Sequence, residues 1–143
     1  MNNFETVVDE LVVLKDIPVI YVTATSFPAG IEAAMEKLHS TIPFSPNRKY
    51  FGISRPESGG DIVYRAAAEE LETGEAEKYN LEKLILPKGK YIHITLHNYR
   101  KNLGEIPAAF ERLLQHENLD PQGYCVEWYT DVDTVKCMIR LRS

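Results

Sequence analysis

Apolar periodicity runs twice through one order of elements along this chain: strand, helix, strand, strand. The first helix sets Ile31, Met35 and Leu38 on one face with Ala34 beside them. The second sets Ile106, Phe110 and Leu113 in the same four-then-three spacing, with Ala109 beside them. Ile31 and Ile106 lie 75 positions apart, Tyr50 and Tyr124 in the following strands 74, and Ile62 and Val135 in the last strands 73. Order and spacing agree together, which points to duplication. One helix covers only one face of a small sheet, so the uncovered faces of two such units must find cover elsewhere. The expected fold is α+β, with tandem duplicated strand-helix-strand-strand modules and mainly antiparallel sheets around a central cleft with pseudo-twofold symmetry. A single domain over residues 1–143 is expected, with a first module at about 5–68, a connector at about 69–83 and a second module at about 84–143.

Residues 11–25, rich in Val, Ile and Thr, read as one long strand bent at Pro18 and placed at a sheet edge. Pro43 and Pro46 end the first helix, and strands follow at 47–54 and 61–68, separated by the turn at 55–60. Glutamate and alanine dominate residues 69–83, read as an exposed connector whose acidic residues form a solvated face. The second module reads as a strand at 90–98, a helix at 106–114 with Pro107 in its first turn, and strands at 123–129 and 135–142. His39 and His116 fall late in the two helices and are expected at the surface.

Composition limits the chemistry. With 143 residues, 44% of them hydrophobic and 26% charged, the chain has the apolar content for a packed core. A net charge of -5 opposes direct nucleic-acid binding through phosphates. Cys125 and Cys137 lack the spacing of a zinc site or a disulfide framework and are expected as packing residues in a reducing setting. No metal or cofactor is expected. Neither a signal peptide nor an apolar run of membrane-spanning length is present, so a cytoplasmic protein with no membrane association is expected.

One residue breaks the apolar pattern of the penultimate strand. Tyr124, Val126 and Trp128 alternate to one face, and Cys125 and Tyr129 to the other with Glu127 between them. A hairpin centred near Asp131 sets Cys125 opposite Cys137 and Glu127 opposite Val135. A carboxyl group there is pushed toward its neutral form by desolvation, suits proton transfer, and gains by pairing with an arriving cation. The alternative is a solvated pair with Arg140 or Lys136.

The segment Lys88-Gly89-Lys90-Tyr91, the strand after it, the second helix, and Tyr124-Cys125-Val126-Glu127-Trp128-Tyr129 resemble the GyrI-like small-molecule-binding domain, which also serves as the effector-binding part of AraC-type and MerR-type multidrug regulators. Tyr50-Phe51-Gly52-Ile53-Ser54 resembles the family's first-half strand. The resemblance implies a hydrophobic cleft in which Glu127 and Tyr129 meet cationic lipophilic ligands. Tyr50, Phe51, Tyr64, Tyr91, His93 and Trp128 are the further candidate liners. The chain departs from the family pattern at Asn98-Tyr99-Arg100-Lys101-Asn102, where members often carry a glycine-containing turn.

The expected function is that of a stand-alone binding protein for hydrophobic or cationic small molecules, with a sensor or sequestration role and any regulatory protein partner unspecified. Two alternatives stand beside it. One is a hydrolase detoxifying cyclopropane-bearing alkylating compounds, with Glu127 activating water and Tyr129 or Tyr91 donating a hydrogen bond. The other is a protein-interaction module, such as a gyrase inhibitor.

Overall fold

The computed structural model describes residues 8–142. The start of the expected first module, at residue 5, lies outside them. Eight strands, β1 (Asp9–Val13), β2 (Ile17–Thr23), β3 (Tyr50–Pro56), β4 (Ile62–Glu69), β5 (Glu82–Leu86), β6 (Gly89–His97), β7 (Cys125–Tyr129) and β8 (Thr134–Arg140), form one antiparallel sheet in the order β1-β6-β8-β7-β3-β4-β2-β5. Three α-helices accompany them among the described residues: α1 (Ile31–Thr41), α2 (Glu75–Tyr79) and α3 (Glu105–Leu113). None is long and apolar enough to cross a membrane.

The strand order reads the same from either end when β1 is exchanged with β5, β2 with β6, β3 with β7 and β4 with β8. This is the expected pseudo-twofold relation, with its axis between β3 and β7. The two modules therefore join edge to edge into one sheet.

The stretch expected as one bent strand is two. Pro18 lies inside β2, and the break falls at Leu14 to Asp16 instead. Only β1 is at an edge, paired with β6 of the second module, while β2 sits between β4 and β5. β5 makes the reciprocal move, leaving the second module's sequence to pair with β2 of the first.

These links dictate curvature. β5 and β6 stand six strand spacings apart in the sheet, about 29 Å if it were flat. Only Pro87 and Lys88 connect them, a reach of roughly 11 Å. β1 and β2, also six spacings apart, are joined by three residues. The sheet must curl into a half-barrel that brings its two ends together. Its inner face holds Val19, Phe51, Ile53, Ala67, Leu86, Tyr91, Val126 and Met138, all buried and packed as one cluster that includes no residue of α1, α2 or α3. The faces left uncovered by the helices thus bury one another as a packed core.

Both long helices lie on the outer face. α1 packs Ala34 and Leu38 onto Ile20, Tyr64, Ala66 and Ala68, and α3 packs Ala109, Phe110 and Leu113 onto Ile92, Ile94, Val135, Cys137 and Ile139. Each buried Leu or Phe contributes roughly 1.5–3 kcal/mol. α1 rests on β2 and β4, and α3 on β6 and β8, so the central strands β3 and β7 lie between the helices.

The expected exposed connector is exposed at Glu72, Glu77 and Glu82, but around Glu70 and Glu75 it forms a buried polar hub. Arg48, 7% exposed, donates from Nη1 and Nη2 to the two carboxylate oxygens of Glu75 at 2.8 and 3.1 Å, and Glu75 also accepts from the backbone amides of Leu71 and Glu72. These partners hold the Glu75 carboxyl down at about 2, the Arg48 hydrogen bonds contributing most. Glu70 accepts from the Ala76 amide and from Lys83 Nζ. A periodicity reading of acidic residues as solvated missed Arg48, which lies more than twenty positions upstream. It is this distant cation that makes burial of Glu75 affordable, while Glu70 is held by the Ala76 amide and Lys83.

Candidate functional site

Pairing across the axis sets Gly52 directly opposite Glu127 and Tyr50 opposite Tyr129. On its other side, Glu127 faces Cys137, not Val135, because the hairpin is centred one residue later than expected. The displacement keeps parity, so Glu127 stays on the face expected for Cys125 and Tyr129. That face is the outer, helix-bearing one. The region of interest is therefore the outer side of β3 and β7, flanked by α1 and α3, and not the space between the uncovered faces.

Glu127 accepts a short hydrogen bond at Oε1 from the Tyr129 hydroxyl. Among the described residues it has no cationic partner. Arg140 pairs with Asp120 at 3.0 Å and Lys136 donates to Thr95, so neither of the expected alternative partners reaches it. Burial pushes the Glu127 carboxyl up to about 7, with the Tyr129 hydrogen bond, the smaller cause, pulling the other way. The group therefore changes charge near neutrality.

Two further side chains shape this spot. Tyr64, 1% exposed, brings its hydroxyl over Gly52, where a Cβ would overlap it. That hydroxyl has no hydrogen-bond partner among the described residues. Burial first, and the charge of Glu127 second, raise the ionisation of both Tyr64 and Tyr129 far above the usual phenol range. Gly52 was not expected here. Its signal is the register: the residue facing Glu127 must leave room for whatever sits above the carboxyl.

Aromatic rings line the surroundings. Tyr99 lies 5.8 Å from Tyr129, Phe27 stacks at 6.3 Å on Tyr64, and Phe44, 75% exposed, stacks at 5.9 Å on Tyr50. His39, exposed as expected, lies 5.3 Å from the Tyr50 ring, and partial burial lowers its affinity for a proton despite its place near a helix C-terminus. Tyr99 belongs to the segment 98–102 where the chain departs from the family pattern. That segment supplies a 3-10 turn, and Tyr99 within it packs toward the site.

Of the eight residues singled out from sequence, Glu127, Tyr129, Tyr64 and Tyr50 share the outer face. Phe51, Tyr91 and Trp128 turn to the inner core, where Tyr91 donates to the Pro87 carbonyl at 2.6 Å. His93 has the same parity as Tyr91, with its Nδ1 3.1 Å from the Asp9 carbonyl at the barrel rim. Cys125 and Cys137 flank Glu127 as free thiols; burial, and then Glu127, raises Cys125 to about 11, which leaves it a packing residue rather than a nucleophile. Among the described residues, no three His, Cys, Asp or Glu side chains cluster as a metal site would require.

No protein-family model matches this sequence, and no curated protein matches it significantly. Solved structures do share its fold. An integron cassette protein from the mobile metagenome of Vibrio cholerae, VCH_CASS2, superposes with a TM-score of 0.71 at 14% identity, covering 94% of this chain and 95% of its own. A protein named for a role in bacterial transcription regulation, from Staphylococcus aureus MU50, gives 0.58 at 13% identity over 99% and 100%. SAV2435, solved bound to tetraphenylphosphonium, gives 0.61 at 12% identity over 98% and 95%. These likenesses establish the architecture over nearly the whole chain.

Proposed function

We propose that this protein is a GyrI-like small-molecule-binding protein that holds hydrophobic cations against Glu127 in the groove between α1 and α3, in a sensing or sequestering role. The observation that carries this reading is a carboxyl group drawn out of water, with aromatic rings about it and no cationic partner among the described residues. A lipophilic cation supplies the missing charge without demanding much hydration, and ring faces add roughly 0.5–2 kcal/mol each. Support comes from the fold neighbour solved with tetraphenylphosphonium, itself a lipophilic cation. Titration calorimetry with tetraphenylphosphonium at pH 6 and pH 8 tests it. Affinity rises with pH in the wild type, and E127Q weakens binding at pH 8 by about 10- to 100-fold, the equivalent of 1.4–2.7 kcal/mol. Equal binding by both forms at both pH values refutes the role of Glu127.

One observation favours a second reading. Tyr129 donates to Glu127, and the partnerless hydroxyl of Tyr64 stands beside them. In that reading an ionised Glu127 takes a proton from water, the water oxygen bonds to a cyclopropane carbon as the strained C–C bond breaks, and Tyr64 donates to the conjugated oxygen that receives the electron pair, as in a hydrolase of cyclopropane-bearing alkylating compounds. Tyr91, the other donor considered, is on the opposite face of the sheet. Product analysis after incubation with such a compound separates turnover from binding.

A further inference from the structure

Successive strand residues point to opposite faces, so Val126 looks away from Glu127 into the half-barrel. There it borders a second cavity, of about 170 Å³, where the link between β5 and β6 meets the chain entering β7. Its apolar wall is Leu86, Tyr91 and Val126, each no more than 2% exposed, with the Tyr124 ring beside them. Tyr124 is fixed from outside by the Arg55 guanidinium, 4.1 Å from its ring centroid. Buried neighbours on one side and a cation on the other fix the position of this wall.

The polar side of the cavity is charge-balanced. Arg140 and Asp120 are its two charged lining residues, and they pair at 3.0 Å. Arg140 also donates from Nε to the Lys88 carbonyl, which leaves Nη2 without a hydrogen-bond partner among the described residues. Asp120 accepts at Oδ1 from the Gln122 amide and at Oδ2 from Arg140, and each carboxylate oxygen keeps room for another donor. The polar side therefore offers one donor and one acceptor close together, with no net charge. An anion meets Asp120 and a cation meets Arg140, so neither gains overall.

We propose that this cavity is a second binding site, separate from Glu127, for a small planar uncharged ring whose edge carries an acceptor and a donor side by side, as in an aromatic amide. Size and chemistry agree: an engineered apolar cavity of about 150 Å³ accommodates benzene. The ring lies against Tyr124 over a floor of Leu86, Tyr91 and Val126, the carbonyl oxygen accepts from Arg140 and the amide nitrogen donates to Asp120. The ligand class differs from that proposed for the Glu127 groove because the sheet separates an unpaired acid from a compensated pair.

The test uses benzamide, benzoate and benzamidine as probes of nearly equal shape and different charge. Titrations are followed by backbone amide NMR shifts at Leu86, Gly123 and Leu141, beside the cavity, with shifts at Gly52 and Tyr129 followed separately to report binding in the groove. Benzamide produces saturable shifts in the millimolar range, several-fold tighter than either charged probe. D120N makes the lining cationic and moves the preference to benzoate, while R140Q makes it anionic and moves it to benzamidine. D120N keeps the oxygen that accepts from Gln122, so it remains informative even where R140Q loses structure. Absence of saturable shifts at these amides, or a ranking of the three probes that D120N leaves unchanged, overturns the proposal.

Discussion

Replacing Glu127 by Gln isolates the cost of keeping one carboxyl group out of water. Below its ordinary value of 4.5, folded and unfolded chains both hold the proton and the group is silent. As pH rises, the unfolded chain releases its proton first, while the folded chain retains it up to about 7. The stability associated with the neutral form is therefore complete below pH 4.5 and is lost as pH climbs through 7. The interval from 4.5 to about 7, at about 1.4 kcal/mol per pH unit, amounts to about 3 kcal/mol. Partial burial lowers the folded-state proton affinity of His39 and His93 and gives a contribution of opposite sign, since stability then grows with pH. Both histidines are present in wild type and variant, so their contribution cancels in the difference. E127Q is thus expected to match the wild type near pH 4.5 and to exceed it by about 3 kcal/mol at pH 8. With an unfolding entropy of about 2.1 cal/mol/K per residue, a chain of 143 residues gains about 10 °C in Tm. Thermal unfolding of both proteins at half-unit pH steps from 4.5 to 8 reads this directly. A Tm difference that stays constant across the range refutes the assignment of Glu127 as a desolvated acid.

Y129F removes the hydroxyl that favours the ionised form, so Glu127 titrates at still higher pH, as followed by the 13C shift of its carboxyl carbon. G52A forces a Cβ into the Tyr64 hydroxyl; a loss of about 1–3 kcal/mol in urea unfolding is expected, with weaker tetraphenylphosphonium binding because Tyr64 is displaced over Glu127. E75Q strands the buried Arg48 and lowers stability at pH 7 by about 3 kcal/mol. Because the Glu75 carboxyl is held down at about 2, this deficit is full above pH 4.5 and closes as pH falls toward 2, which acid-side urea titrations measure.

The duplication was legible because helices report their inner face at fixed spacing, and Ile31, Met35, Leu38 and Ile106, Phe110, Leu113 do so without long-range information. Glu127 was legible for a similar reason: alternation in β7 makes a lone carboxylate among apolar residues conspicuous. Which face served which purpose was not. Phe51 and Trp128 looked as suitable as Tyr64 because period-2 alternation says that two faces exist and not which one a helix covers. The exchange of β1 and β5 left no local trace either, since a strand carries the same pattern whether its partner is near or distant in the chain. Glu75 and Arg48 were read apart because only the folded chain brings them together.

The exchanged edge strands carry a consequence for how the chain can be divided. Cleavage between β4 and β5 would not yield two self-sufficient halves, because each fragment would carry one border strand belonging to the other and lack its own. The pieces would have to reassociate to complete either curl. An ancestral single unit would have met the same need by assembling as a pair, each copy donating its leading strand to its twin, and fusion into one chain would then have made that mutual loan permanent.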